Sequence, residues 1–373
     1  MLQFLEPGHG RRGVRSSCVA QLAVAIVPFM MLKIARMQGG LIVLACLGLA
    51  AAGCSSSGFS GSSGGGGGAK PSGTANVAYA ASLTFLNEQV FGPAFEKATG
   101  YKYQGTAGPS DGLSAEIAGK TIFPNVFITV GGKSIESLGP KFTKWFVQYA
   151  STSIVVAYNP SSKYAPQFNA IASGKKPVSD LFKLMEQPGF QLGRTDPNTD
   201  PQGRAFIYML ELAQMKYHLP KDTVTKTLGG PLASTKSTQI FEEAALDSRL
   251  QAGQVDAASA YLSQAKQLHL KYITLPPDIN LGDASFADNY AKASIAITDS
   301  TGKDTKTGSP LTLDITTITG AKDAAAGNAF VAYVLSSAGR SLYEKQGGYT
   351  LLTPTLTGPA SAVPASIRKE LGS

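Results

Sequence analysis

The chain is poor in the residues that carry most covalent and metal chemistry. It has three cysteines and three histidines in 373 residues. Cys18, Cys46 and Cys54 all lie near the N-terminus, so the body has neither a disulfide framework nor a thiolate metal site. Beyond Cys54 the only imidazoles are His218 and His269, which argues against zinc chemistry and against a Ser-His-Asp triad. Charged residues make up only 16% of the chain. Half of the formal +8 excess comes from Arg11, Arg12, Arg15, Lys33 and Arg36, opposed there by Glu6 alone. The remaining bases are scattered singly, with no basic stripe and no aromatic interleaving, which argues against nucleic acid as a partner. Such a mildly basic body is compatible with an anionic ligand. Apolar residues, at 43%, are enough for a sizeable core.

The N-terminus reads as an address. In residues 31–54, MLKIARMQGGLIVLACLGLAAAGC, Lys33 and Arg36 form a basic start, 39–52 a short apolar run, and Ala51, Ala52 and Gly53 lead into Cys54. This is the pattern of a secretory signal, and the apolar run is short for a membrane span. It resembles a bacterial lipobox, with Ala51 where Leu or Val is commoner, and the resemblance implies lipidation of Cys54. The untidy apolar stretch upstream belongs with this segment, so 1–53 is read as signal or upstream sequence. Residues 55–73 are mostly Ser and Gly, a composition that behaves as a flexible coil. Positions 54–74 are thus a lipidated tether that anchors the body at the outer face of the cytoplasmic membrane.

From Asn76 onward, short β-rich runs alternate with amphipathic stretches. Strands are expected at 76–80, 102–105, 125–130, 153–158, 190–193, 255–258, 272–275 and 312–316. Helices are expected at 84–99, 110–119, 204–215, 239–251, 324–336 and 339–345. Alternation of this kind predicts an α/β fold with mostly parallel sheets. Four segments share one arrangement, an extended run, a small-residue turn and a helix start: Ala80-Ala81-Ser82, Gly108-Pro109-Ser110, Asp200-Pro201-Gln202-Gly203 and Phe241-Glu242-Glu243. Helix starts leave backbone N–H groups unpaired and carry positive partial charge, so several that converge form an anion site. Taken singly, Ser82, Ser110 and Asp200 are ordinary N-caps, Pro201 suits the first helical position, and Glu242-Glu243 suits a helix's first turn.

Longer motifs extend this pattern. Ala80-Ala81-Ser82-Leu83-Thr84 with Phe95-Glu96-Lys97-Ala98-Thr99-Gly100, the stretch from Ser110 to Ile117, and Asn125-Val126-Phe127-Ile128 resemble periplasmic molybdate-binding proteins. Asp196-Pro197-Asn198-Thr199-Asp200-Pro201-Gln202-Gly203, the Leu250 to Ala257 run and the Leu275 to Leu281 run resemble the archaeal-type tungstate/molybdate-binding branch. Together these motifs span nearly the whole body. The resemblance implies a type II periplasmic-binding-protein fold: lobe 1 from 75–150 and 271–373, lobe 2 from 151–270, chain crossings near Ala150 and Lys271, and the ligand in the cleft. It implies a monomeric, non-enzymatic, lipid-anchored solute-binding protein without cofactor, which hands molybdate or tungstate to the permease of an ABC importer. Position by position, Ser82 and Ser110 match the family's two serines, Gln202 and Glu243 its main-chain donors, and Tyr261 its tyrosine. Asp200 matches the first of two carboxylates that the archaeal branch adds around the metal centre. The second falls on Ala260, so a four-coordinate oxyanion held by hydrogen bonds is expected, with Asp200 serving as an N-cap. The alternatives are the same fold with sulfate, phosphate or a small organic anion, a ferric-iron binder, and a secreted enzyme using Asp196, Asp200 and Asp256.

Overall fold

The computed structural model describes residues 71–372, except 235, 300 and 301. The expected signal segment, Cys54 and most of the Ser/Gly tether lie outside the described residues.

Twelve strands are described. The first eight are β1 (Thr74–Ala80), β2 (Lys102–Gly108), β3 (Val126–Val130), β4 (Phe146–Ser151), β5 (Ile154–Tyr158), β6 (Leu192–Gly193), β7 (Ala257–Tyr261) and β8 (Lys271–Ile273). They are followed by β9 (Ser294–Asp299), β10 (Gly302–Thr307), β11 (Thr312–Thr317) and β12 (Thr350–Thr357). A six-stranded sheet has the order β12-β4-β11-β3-β1-β2, a four-stranded sheet the order β6-β7-β5-β8, and β9 and β10 form a hairpin. Inner strands read as continuous apolar runs because both faces are covered: all five residues of β3 and all five of β5 are buried. The edge strand β2 is largely exposed.

The α/β class stands, but the sheets are mixed rather than mostly parallel. Pairings β1–β2, β1–β3 and β6–β7 are parallel, whereas β11 runs antiparallel to β3 and β4, β12 to β4, and β5 to β7 and β8. Helical crossovers impose parallel pairing only where they return the chain to the same sheet edge. Here the chain leaves the six-stranded sheet at Ser151 and enters the four-stranded one at Ile154, and when it returns, β11 inserts between β3 and β4. β8, at the expected second crossing, pairs with β5.

Four helices position the site: α1 (Ser110–Ala118), α2 (Pro201–Lys216), α3 (Glu243–Gln251) and α4 (Leu262–Gln267). In α2 every residue from Gln202 to Leu210 is buried, and side chains such as Phe206 and Ile207 each contribute roughly 1.5–3 kcal/mol by burial. Its entry is tight, since a Cβ on Gly203 would lie 2.5 Å from the Thr195 carbonyl oxygen; only glycine lets the 195–200 loop fold back on the helix. The helix expected over 239–251 begins at Glu243, because Arg194 N–H donates to Gln239 O at 2.8 Å and Phe241 N–H to Arg194 O at 3.0 Å. That pairing holds 239–241 extended. The helix expected over 84–99 is present but not uniform: it follows a short turn at Ala81–Leu83, widens into a π-type turn at Leu86–Phe91 and runs on as a regular helix from Gly92 to Thr99, with Pro93, which has no N–H for the ladder, at its start.

Candidate anion site

The first wall comes from turns that follow strands of the six-stranded sheet. Ser82 lies in the Ala81–Leu83 turn directly after β1, which has no side-chain cap. It is buried, and its Oγ has no hydrogen-bond partner among the described residues. Ser110 opens α1 after the extended Pro109, again with no side-chain cap. Its Oγ accepts a long bond of 3.4 Å from Val130 N–H, which leaves the hydroxyl proton to be aimed elsewhere. Neither serine acts as the N-cap that each taken singly suggests.

The second wall surrounds the four-stranded sheet and is wired internally. Asp200 caps α2, its Oδ1 accepting from Gln202 N–H at 2.8 Å. The main-chain donor that sequence reading aims at an anion is therefore already engaged. Gln202 is fully buried, and its Nε2 donates to Glu243 Oε1 at 2.7 Å and to Gln264 Oε1 at 3.0 Å. Its Oε1 accepts from Ser259 Oγ at 3.0 Å. Gln264 Oε1 also accepts from Tyr261 N–H at 3.3 Å, and its Nε2 donates to Asp247 Oδ2 at 2.8 Å. Glu243 is the first residue of α3, which lacks a side-chain cap, so its N–H belongs to the set that a helix start leaves free. Tyr261 ends β7 fully buried, with its Oη unpartnered among the described residues. Ala260 is buried in β7 and brings no carboxylate.

Burial sets the protonation of this wall. It pushes Asp200 up to about 6, against the pull of the Gln202 N–H and Arg204. Burial, then Asp200 and Asp247, hold Glu243 well above the usual carboxylate range. Burial alone pushes Asp247 up to about 6 against its bond from Gln264. Tyr261 is raised by burial, then by Asp200 and Glu243, with Arg204 opposing, so it remains a neutral phenol that can donate. These mutual influences show Asp200, Glu243, Tyr261 and Arg204 sharing one buried region. Among the described residues no group of three or more His, Cys, Asp or Glu is placed to hold a metal ion.

The two walls meet. The Ala81–Leu83 turn packs on α3, which brings Ser82 beside the helix that Glu243 opens. Asp111, next to Ser110, forms an ion pair with Arg204 of α2, Nη2 to Oδ2 at 2.8 Å. The turn that carries Ser82 thus packs on the helix that Glu243 opens, and the helix that Ser110 opens is tied to the one that Asp200 caps. Sequence reading missed Ser259, Gln264, Asp247, Asp111 and Arg204. The Tyr261-x-x-Gln264 spacing, a capping-box pattern in which the third helical residue reaches back to the cap N–H, was a usable signal for Gln264. The Asp111–Arg204 pair had none, because it joins segments far apart in the chain.

Comparison with known proteins identifies the family and the fold. A family model described as bacterial extracellular solute-binding protein matches residues 75–348. An uncharacterized solute-binding protein of Methanococcus aeolicus is 29% identical over 310 residues, covering 74% of this chain and 84% of that one. The molybdate/tungstate-binding protein WtpA of Pyrococcus abyssi is 30% identical over 230 residues, or 58% of this chain. The match spans 64% of the WtpA chain, the same share as for a solute-binding protein of Petrotoga mobilis. Among solved structures, the periplasmic molybdate-binding protein of Azotobacter vinelandii has the same fold, with a TM-score of 0.50, 17% identity, and coverage of 74% of this chain and 99% of that one. The chain therefore belongs to the bacterial extracellular solute-binding proteins, a family of binding proteins and not of enzymes.

Proposed function

We propose that this protein captures a tetrahedral oxyanion, molybdate or tungstate, outside the cytoplasmic membrane and presents it to the permease of an ABC importer. The observation that carries the reading is the pair of buried, unpartnered hydroxyls, Ser82 Oγ and Tyr261 Oη, on walls that also hold Ser110 and the uncapped start of α3. A buried polar group without a partner costs roughly 1–3 kcal/mol, a cost that an acceptor ligand removes. A fully deprotonated oxyanion only accepts hydrogen bonds, so a set of hydroxyl and amide donors suits it. The name of the Pyrococcus relative supports the same ligand class.

In this reading Ser82 and Ser110 donate from the wall beside the six-stranded sheet, and Tyr261 Oη and Glu243 N–H donate from the wall around the four-stranded sheet, so the ligand bridges the two. Binding then favours the closed arrangement. Asp200 holds the Gln202 N–H and, when protonated, adds no negative charge beside the ligand. Charge-assisted bonds of about 1.5–3 kcal/mol each, less the costs of closure and desolvation, bring a site of this size to roughly micromolar to nanomolar affinity. Lipidation at Cys54 and the Ser/Gly tether would keep the binding body near the permease. Calorimetric titration with molybdate, tungstate, sulfate and phosphate in turn tests the assignment. One-to-one, sub-micromolar binding of molybdate or tungstate, with sulfate at least a hundredfold weaker, is expected. Absence of heat with all four anions would remove the oxyanion reading and direct attention to organic anions and ferric iron.

A further inference from the structure

The Asp111–Arg204 ion pair joins the two walls at the edge of the candidate site. Its side chains are 17% and 9% exposed, unlike surface pairs such as Lys226–Asp222, at 56% and 55%. Water screens it correspondingly less. Each partner is braced by its own wall. Asp111 Oδ1 accepts from Ser134 Oγ at 2.5 Å, and Arg204 Nη1 donates to Pro197 O at 3.0 Å, within the loop that leads to Asp200. Charges oriented separately before they meet lose little freedom when they join, a condition under which an ion pair contributes net attraction. The pair also sits in register with the site: Asp111 follows Ser110, and Arg204 lies one helical turn beyond Asp200 on α2. A crevice of about 120 Å³, lined in part by Asp111, Ser114, Asn198 and Thr199, opens beside it.

We propose that Asp111 and Arg204 form a clasp that sets how long the anion stays bound: positioning residues that touch each other and must part before ligand can exchange. Arg204 spends one arm on Asp111 and the other on Pro197 O, so its contribution is to hold the walls together and not to ligate the anion. The inference rests on the oxyanion reading above. If the clasp must open for passage in either direction, losing either partner speeds release most and entry less. Losing both adds little, because one missing charge already opens it.

Exchange of isotopically labelled molybdate on the full-length protein tests this, with affinity and melting temperature measured alongside. Asp111→Asn and Arg204→Gln should each release molybdate at least tenfold faster, and the double variant should be no more than about twofold faster than either single one. Arg204→Lys keeps the charge but cannot grip Asp111 and Pro197 O together, so it should fall between wild type and Arg204→Gln, and it serves if the Gln variant does not fold. Wild-type release from folded Asp111→Asn, or additive effects in the double variant, would overturn the clasp. So would weakened binding in Arg204→Gln alone, which would make Arg204 a direct ligand. Failure of the wild-type protein to bind molybdate would instead count against the oxyanion reading itself.

Discussion

The two walls of the candidate site are built on opposite plans. The wall beside the six-stranded sheet offers Ser82 and Ser110, hydroxyls at uncapped helix starts with few commitments to the rest of the protein. The wall around the four-stranded sheet is crowded with commitments: Gln202 alone bonds to Glu243, Gln264 and Ser259, and its N–H is taken by Asp200. Three carboxyls there, the buried Asp200 and Glu243 and the half-buried Asp247, are all shifted upward. One wall presents hydroxyls with few other bonds, whereas the other sets Tyr261 Oη and the Glu243 N–H in a hydrogen-bonded frame. The difference is one of freedom: the hydroxyls of the first wall can turn to a ligand, whereas the second is fixed by bonds within the protein.

The sharpest test of the contrast is removal of Gln202. Gln202→Ala takes one bond each from Glu243, Gln264 and Ser259, and a buried polar group left unpaired costs roughly 1–3 kcal/mol. We expect a loss of about 3 kcal/mol in chemical denaturation, whereas Ser82→Ala should leave stability nearly unchanged. Equal stability losses from the two variants would erase the distinction between the walls.

Tyr261→Phe comes next, since Tyr261 brings a buried, unpartnered hydroxyl to the wired wall. Molybdate affinity should fall at least tenfold, about 1.4 kcal/mol, at unchanged melting temperature. Ser82→Ala and Ser110→Ala should each weaken affinity by a similar factor. Wild-type affinity in both serine variants would take the first wall out of the site.

The smallest expected effect is that of pH, and it should belong to the wired wall alone. Asp200 has its carboxyl raised from 3.8 to about 6 in the folded protein, so between these values the folded state binds more protons than the unfolded one. Its contribution therefore favours folding at low pH and is lost as pH rises from about 4 to about 6. Molybdate affinity should weaken over the upper part of the same window as a negative charge appears beside the ligand. Asp200→Asn keeps a capping oxygen and should flatten both profiles. Arg204 and Asp111 act on Asp200 in opposite directions, so the clasp variants give a second reading of the same titration. An unchanged pH profile in Asp200→Asn would assign the dependence to Glu243 or Asp247.

Much of this site was legible because helix starts are local events. The run from Asp200 to Gly203 states its own geometry: a capping carboxylate, a proline at the first helical position and a glycine where the backbone folds back. The turns before Ser82 and Ser110 are equally local. Where reading along the chain failed, partners came from elsewhere. Residues 239–241 look helical until Arg194 pairs with them. β12 (TLLTPTLT) and β10 (GKDTKT) carry weak strand patterns and owe their form to β4 and β9.

By itself the sequence determined the α/β class, the helix starts at Ser110 and after Asp200 and, through the motifs around Ser82, Ser110 and Asp200, the family. These follow from dihedral preferences and hydrogen bonds that span three or four residues. Only the tertiary structure decided that the sheets are mixed, that Gln202 spends its N–H on Asp200 and its side chain on Glu243, and that Asp111 meets Arg204. Strand direction, the loss of water around a carboxyl and the approach of two charges all depend on segments distant in the chain, and no local rule reaches them.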